Sequence, residues 1–477
     1  MSDPSICRPF INGTSRATRD VAEVRSPYSG DVVTRSHRAG PAEIAEALAS
    51  AHEAFETTRR LAAWERAGIL SRIAAEVAKR RDELAGMLVR EAGKPLKAAR
   101  LEADRTVHTF EAASEEAKRQ GGEVLPLDTV PWGAGHFGIT RRFPIGLVAG
   151  ITPFNFPLSL TAHKIAPAIA AGNTIVIKPA SQTPSPACTL AEIAHAAGAP
   201  PGAVNVVPAR ATDVEAFVTD PRVKMLTFTG SPAVGWDLKA RAGKKKVALE
   251  LGGNAAVVVT ASADLAYAVE RIVAGGFGYA GQSCISVQRV LVDRKIESAF
   301  LDLLLPKVRA LNVGDPADEA TDVGPLISKQ EAERAEAWIR EAVIGGAKLL
   351  AGGEREGALL KPTVLTATKP EMRVNCQEIF APVVTVTPYD DFEAALKMAN
   401  DSTFGLQAGV FTRDTEEAWK AFETLEVGGV MINDVSTYRV DHMPYGGVKD
   451  SGTGREGLRY AIEEMTESRL MVWNRRS

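Results

Sequence analysis

Short apolar runs alternate with helical patterns twice along this 477-residue chain, and that alternation limits the fold more than any other feature. The first series is Leu147 to Ile151, Thr174 to Ile177, Val204 to Val207 and Met225 to Phe228. A strand apolar on both faces has no side to turn to water, so such strands sit in a mainly parallel sheet with helices on both sides. A second series begins near Val257 and runs through Val290 to Val292, Lys348 to Ala351, Val383 to Val386, Gly409 to Phe411 and Gly429 to Ile432. It predicts a second α/β unit, as a chain too long for one ordinary core requires.

Ahead of the first series the text is helical. Ile44, Ala47, Leu48, Ala51 and Phe55, then Ile69, Ile73 and Val77, recur at three- and four-residue steps, predicting a helical layer from Pro41 to about Gln120. From Glu123 to about Val148, Pro126, Pro131, Gly133, Gly135 and Pro144 break the pattern into a hairpin-like excursion. The segment Met465 to Trp473 reads as an edge strand whose Leu470, Val472 and Trp473 need cover from a partner subunit or from that excursion. Asn12-Gly13-Thr14 reads as a tight turn between short strands.

Composition excludes several classes. A net charge of −3 and a pI near 6.2 give no field for a phosphate backbone, and Lys244 to Lys246 reads as a solvated lead-in to a strand, so no nucleic-acid partner is expected. The longest apolar stretches, around Ile145 to Ile151 and Leu251 to Val259, fall short of the roughly 18 to 20 residues of a membrane span. The opening MSDPSICRPF has no secretory pattern, so the expected compartment is the cytoplasm. The four cysteines, Cys7, Cys188, Cys284 and Cys376, show neither Cys-x-x-Cys nor metal-ligand spacing, so neither a disulfide framework nor a metal site is expected.

Two stretches match G-x-G-x-x-G by letter, Gly276 to Gly281 and Gly452 to Gly457. The first follows a helical pattern rather than a strand, and the second leaves too little chain for a βαβ unit, so both read as tight loops. No Walker A or G-x-S-x-G pattern occurs.

Three motifs carry chemistry. Gly281-Gln282-Ser283-Cys284 is a glycine-led loop that can open a helix and place the thiol at its N-terminus, where the macrodipole favours thiolate; a buried structural cysteine is the alternative. Glu250 closes the apolar run Val247 to Glu250 ahead of Leu251, Gly252 and Gly253, as a strand-end base whose burial raises its pKa, or as a capping or surface carboxylate. Asn155, in Thr152-Pro153-Phe154-Asn155-Phe156-Pro157, is a rigid amide donor suited to an oxyanion, or an Asn that satisfies turn backbone.

In their order and spacing these motifs resemble the aldehyde dehydrogenase superfamily over nearly the whole chain. The resemblance extends to Ile177-Lys178-Pro179-Ala180, Ser181-Gln182-Thr183-Pro184, Phe228-Thr229-Gly230-Ser231 with Gly235, Glu378-Ile379-Phe380-Ala381-Pro382 and Pro444-Tyr445-Gly446-Gly447. It implies an α/β fold with a Rossmann-type cofactor domain (1–122 and 143–250), an α/β catalytic domain (251–446) and a small β oligomerisation element (123–142 and 460–477). It implies Cys284 as nucleophile, Asn155 with the Cys284 backbone N–H as oxyanion donors, and Glu250 as the base that activates the hydrolytic water. NAD or NADP would lie along Thr152, Phe154, Lys178, Ser181, Gly230, Ser231, Gly235, Leu251, Glu378 and Phe380. Relatives selective for NAD often carry Glu where Ser181 stands, so NADP is admissible here.

The loop Ser436 to His442 lines the substrate tunnel in relatives. A cation at Arg439, with Arg105 on a bordering helix, points to a small polar or anionic aldehyde, as in the lactaldehyde, phosphonoacetaldehyde, succinate semialdehyde and non-phosphorylating glyceraldehyde-3-phosphate dehydrogenases. Alternatively Arg439 pairs with Asp441 or Glu456, and Arg105 with Asp104 or Glu102. A cysteine acyl hydrolase using Cys284 and His442, and a catalytically retired structural relative, are the competing functions. The resemblance also implies a homodimer or homotetramer.

Overall fold

A computed structural model describes residues 3–475, so the outermost residues of the expected cofactor and oligomerisation segments lie outside the described residues. The helical layer forms as Pro41–Thr58, Ala63–Lys79, Arg81–Ala92 and Leu96–Lys118. Ile44, Ala47, Leu48 and Ala51 are buried on one face of the first helix, and Ile69, Ile73 and Val77 on one face of the second, as the three- and four-residue steps require.

The first apolar series builds the centre of an eight-stranded sheet. Its five parallel strands lie in the spatial order Lys246–Glu250, Val223–Thr229, Leu147–Ile151, Thr174–Lys178, Val204–Val206. The chain therefore starts in the middle, fills one side and then the other, and the reversal falls between Leu147–Ile151 and Val223–Thr229. Loops leaving these two carboxyl ends diverge to opposite faces and open a crevice. Both faces are packed: Val148, Ile175 and Ile177 point into one core, Leu147, Ala149 and Val176 into the other.

The second series builds a seven-stranded sheet, parallel except for Lys348–Ala351, with Val287–Asp293 and Ala255–Val259 near its middle. Val257, Val259, Val290 and Val292 face one core, while Val258 and Leu291 face the other.

The excursion and the C-terminal segment meet. Thr466–Asn474 pairs antiparallel with His136–Pro144, which also pairs with Val124–Pro126. The last strand remains an edge, with Leu470, Met471, Val472 and Trp473 each about half exposed. Asn12 and Gly13 both adopt positive φ between the paired strands Phe10–Ile11 and Thr14–Ser15, the geometry of a tight two-residue hairpin turn. Gly276 lies within the helix Leu265–Phe277 and the next four residues form a 3₁₀ turn, while Gly452 to Gly457 joins a two-residue strand to a seven-residue helix. The first follows no strand, and the strand before the second pairs antiparallel at a sheet edge, so neither opens a parallel βαβ unit as a dinucleotide fingerprint does. Among the described residues no helix is long and apolar enough to cross a membrane.

Candidate active site

A cavity of about 610 Å³ opens at the reversal in the first sheet. Its walls come from the carboxyl ends of that sheet (Thr152 to Asn155, Lys178, Thr229 to Ser231, Glu250) and from loops preceding strands of the second (Cys284, Glu378, Phe380). Asn155, Glu250 and Cys284 thus come together from positions far apart in sequence.

Asn155 is buried in the loop between Leu147–Ile151 and the helix Ser159–Ala171. Its Nδ2 donates to the Gln282 carbonyl at 3.1 Å, and its Oδ1 accepts from the Phe156 N–H at 3.1 Å. A primary amide has two N–H groups, so one donor remains for another acceptor. Glu250 is the last residue of its strand, as the apolar run predicted, and is buried with Oε2 unpartnered among the described residues. Burial, and then the nearby Glu456 carboxylate, push its pKa well above the ordinary carboxylate range.

Cys284 departs from the expectation of a helix N-terminus. It lies between the 3₁₀ turn Gly278–Gly281 and the strand Val287–Asp293, so no helix dipole stabilises its thiolate. Gly281 has φ +68°, and a Cβ there would come 2.1 Å from the Ala381 carbonyl, so the turn packs against a neighbouring loop too closely for any other residue. The Cys284 Sγ is 2.9 Å from the Tyr445 hydroxyl, and burial pushes the thiol up to about 12. Thiol is the resting form at neutral pH, and a base must remove its proton.

The residues expected to bind a dinucleotide share this cavity. Thr152, Phe154, Lys178, Ser181, Gly230, Ser231, Leu251, Glu378 and Phe380 line it. Gly235 does not, but a Cβ there would come 2.4 Å from Leu251, so the glycine lets the helix Pro232–Arg241 lie against the wall. That helix begins at Gly230 and Ser231 with no side-chain cap, leaving first-turn N–H groups free for an anion. Lys178 is buried, Ser181 is exposed at the rim, and Phe154 packs edge-on against Phe380 at 5.9 Å. Glu378 accepts from the Gly253 N–H at 2.9 Å, and burial pushes it up to about 7. An anion-binding helix start, an apolar slot and two polar anchors fit a nicotinamide dinucleotide. Among the described residues no group of His, Cys, Asp or Glu is arranged to hold a metal ion.

A second cavity, of about 910 Å³, is lined by Arg105, Arg271, Arg439, Asp441 and His442. Arg105 Nη2 donates to Asp441 Oδ1 at 2.7 Å rather than to Asp104 or Glu102, which are taken by Arg81 and Lys94. Arg439 Nη2 donates to Glu456 Oε2 at 2.9 Å, one of the two partners weighed from sequence, and its guanidinium lies 3.7 Å from the Tyr445 ring centroid. Both arginines therefore carry a carboxylate, yet Nε of each is buried without a partner among the described residues. His163 Nε2 lies 3.0 Å from Asp441 Oδ1, and against burial the His163 and Arg105 contacts hold Asp441 well below its ordinary value. His442 is exposed, and among the described residues no hydrogen bond joins it to Cys284.

Sequence reasoning missed His163 and Lys164, the contact of Glu456 with Lys164, and the part played by Tyr445. Lys164 Nζ donates to the hydroxyls of Thr227 and Thr229 at 3.0 and 2.9 Å and lies 3.6 Å from Glu456, and its charge draws the Glu250 pKa down against burial. One signal was available: His163 and Lys164 are the two ionisable residues of the mostly apolar helix Ser159–Ala171.

The chain matches the profile of the Aldehyde dehydrogenase family over residues 14–471. It is 44% identical over 466 residues to a 3-sulfolactaldehyde dehydrogenase of Priestia aryabhattai, covering 98% of this chain and 97% of the relative. Aldehyde dehydrogenase 21 of Physcomitrella patens, solved in complex with the reaction product succinate, superposes with a TM-score of 0.98 at 43% identity, with 99% of each chain covered. Glyceraldehyde-3-phosphate dehydrogenase GapN of Methanocaldococcus jannaschii, complexed with NADP, superposes with a TM-score of 0.92 at 41% identity, covering 96% of this chain and 100% of the other.

Proposed function

The chain belongs to the aldehyde dehydrogenase family, and from that premise we propose that it oxidises a small polar or anionic aldehyde to the carboxylic acid through a thiohemiacetal and a thioester on Cys284. The observation that carries the chemistry is the convergence of Cys284, Glu250 and Asn155 on one cavity, which the expected dinucleotide-binding residues also line. Glu250, with its unpartnered oxygen, takes the thiol proton, and the sulfur adds to the aldehyde carbon. The second N–H of Asn155 and the backbone N–H of Cys284 receive the oxyanion. NAD(P)⁺ bound in the slot supplies the hydride acceptor. Glu250 passes that first proton to solvent; water then attacks the thioester carbon, Glu250 takes a proton from it, and the C–S bond breaks, returning the Cys284 thiolate and releasing the acid, which ionises. Having both a thiol and a water-activating carboxyl favours hydrolytic release over transfer to coenzyme A.

Lys178 and Ser181 hold the adenosine ribose, Glu378 the nicotinamide ribose, and Gly230, Ser231 and the helix start the pyrophosphate, with Thr152, Phe154, Leu251 and Phe380 completing the slot. Serine at 181 places no carboxylate against a 2′-phosphate, so NADP⁺ is accepted as well as NAD⁺. The first sheet is the cofactor domain, the second the catalytic domain, and the three-stranded sheet the oligomerisation element of a homodimer or homotetramer. The four free thiols accord with a reducing, cytoplasmic setting.

The substrate class rests on the buried, unpartnered Nε atoms of Arg105 and Arg439 in the second cavity. A guanidinium has five donors, so one carboxylate partner leaves capacity for a carboxylate, sulfonate or phosphate on the substrate. 3-Sulfolactaldehyde, succinate semialdehyde, phosphonoacetaldehyde and glyceraldehyde 3-phosphate carry such an anionic group; lactaldehyde, which is neutral, is the polar alternative and offers its hydroxyl instead. Arg439→Ala is expected to lower kcat/KM for succinate semialdehyde about 100-fold, and for a neutral aldehyde of equal length less than about 5-fold. Equal losses for the two would refute the anion site. The hydrolase alternative has an exposed His442 unconnected to the thiol, and the retired-relative alternative has all three reactive groups in place.

A further inference from the structure

Lys94 and Glu102 form an ion pair sealed in the interior, with Lys94 fully buried. Nothing in the chemistry above uses it. Desolvating an ammonium is costly, and a position needing only packing is served as well by Met or Leu. The contacts of this ammonium converge on the active site. Its Nζ lies 3.7 Å from the Phe156 ring centroid and 4.3 Å from that of Tyr279, close enough for strong cation–π attraction in a dry setting. Phe156 follows Asn155 and donates its N–H to that amide. The Tyr279 carbonyl accepts from the Gln282 N–H at 3.1 Å, and the Gln282 carbonyl accepts from Asn155 at 3.1 Å, two residues ahead of Cys284. The contacts close a circuit: Lys94, Phe156, Asn155, Gln282, Tyr279 and back to Lys94. Glu102 extends it, its Oε1 accepting the Leu158 and Ser159 N–H groups at 3.0 and 3.1 Å where the helix bearing His163 and Lys164 begins.

We propose that Lys94 is a positioning residue, a cation clamped between two aromatic rings that fixes the Asn155 loop against the Cys284 loop and so sets the oxyanion geometry. It touches neither substrate nor cofactor and acts through Asn155. The inference rests on the assignment of Asn155 and Cys284 made above.

The test uses p-nitrophenyl acetate, an activated ester that acylates the thiol directly and needs neither aldehyde nor nicotinamide, with the rate of Cys284→Ala subtracted as background. Lys94→Met is expected to slow acylation at least about 10-fold and Asn155→Ala about 100-fold. The double variant is expected to match Asn155→Ala within about 3-fold, because a misplaced donor has no effect once the donor is gone. Affinity for NADP⁺, read by fluorescence titration, is expected to change less than about 3-fold, whereas general loosening would weaken it together with the rate. Multiplying losses in the double variant, or a wild-type rate in Lys94→Met, would overturn the clamp alone. A wild-type rate in Asn155→Ala would overturn the oxyanion assignment and the clamp with it. Phe156→Leu keeps the ion pair while removing one ring, and the same non-additivity with Asn155→Ala decides the matter if Lys94→Met does not fold.

Discussion

Glu250 and Cys284 are both acids whose burial favours the protonated form, and this shapes the expected pH dependence. A base whose pKa lies well above the ordinary carboxylate range activates water only as pH rises through that raised value. The deacylation rate should therefore climb across a pKa clearly above 4.5, and Glu250→Gln should remove that limb with a rate loss of about 10²- to 10⁴-fold. Pre-steady-state traces at several pH values check this, and a limb unchanged in Glu250→Gln would assign it to another group. The strand-end position and burial of Glu250 were legible from sequence, because an acid flanked by leucines and glycines closes an apolar run there, whereas its role as base came from the resemblance. The Cys284 loop was legible as special but not in its setting. A glycine-led loop precedes a helix as readily as a strand, and the distinction depends on the close packing of Gly281 on the Ala381 carbonyl, a contact between residues 100 positions apart in the sequence.

Among elements, the strands and helices of both series appeared where apolar periodicity put them, because buried strands and amphipathic helices announce themselves locally. Contacts between elements did not. Glu91, an unremarkable acid in sequence, is buried at the end of the helix Arg81–Ala92 and accepts from Thr34 on the strand Val32–Arg38 and from both the N–H and the hydroxyl of Ser185, which opens the helix Ser185–Ala196. Burial pushes its carboxyl up to about 7. A raised folded-state pKa means that its contribution to stability is complete below the unfolded value near 4.5 and lost as pH rises through about 7. The stability advantage of wild type over Glu91→Gln in chemical denaturation should thus shrink by about 3 kcal/mol between pH 5 and pH 8. A difference that stays constant over that window would show that Glu91 is not the titrating staple.

For the whole molecule, the strand Thr466–Asn474 lies at a sheet edge and presents a row of half-exposed apolar side chains, a surface that soluble proteins ordinarily cover. The paired substitution Leu470→Asp and Val472→Asp is expected to shift the protein from oligomer toward monomer in sedimentation velocity; an unchanged coefficient would locate the interface elsewhere. The need for cover, and the excursion as one of two candidates for it, were readable in the sequence, but the choice of His136–Pro144 and its register were fixed only by the three-dimensional fold, since register over more than 300 residues of separation has no local signal. The central claim is that the three convergent side chains oxidise an aldehyde through Cys284. Its most direct measurement is the absorbance of reduced nicotinamide when pure protein meets succinate semialdehyde or 3-sulfolactaldehyde with NADP⁺ or NAD⁺, with the acid product quantified in parallel. Reduced nicotinamide and acid in equal amounts from wild type, and neither above background from Cys284→Ala, is the predicted result; equal production by Cys284→Ala, or none from wild type with either aldehyde and cofactor, would contradict it.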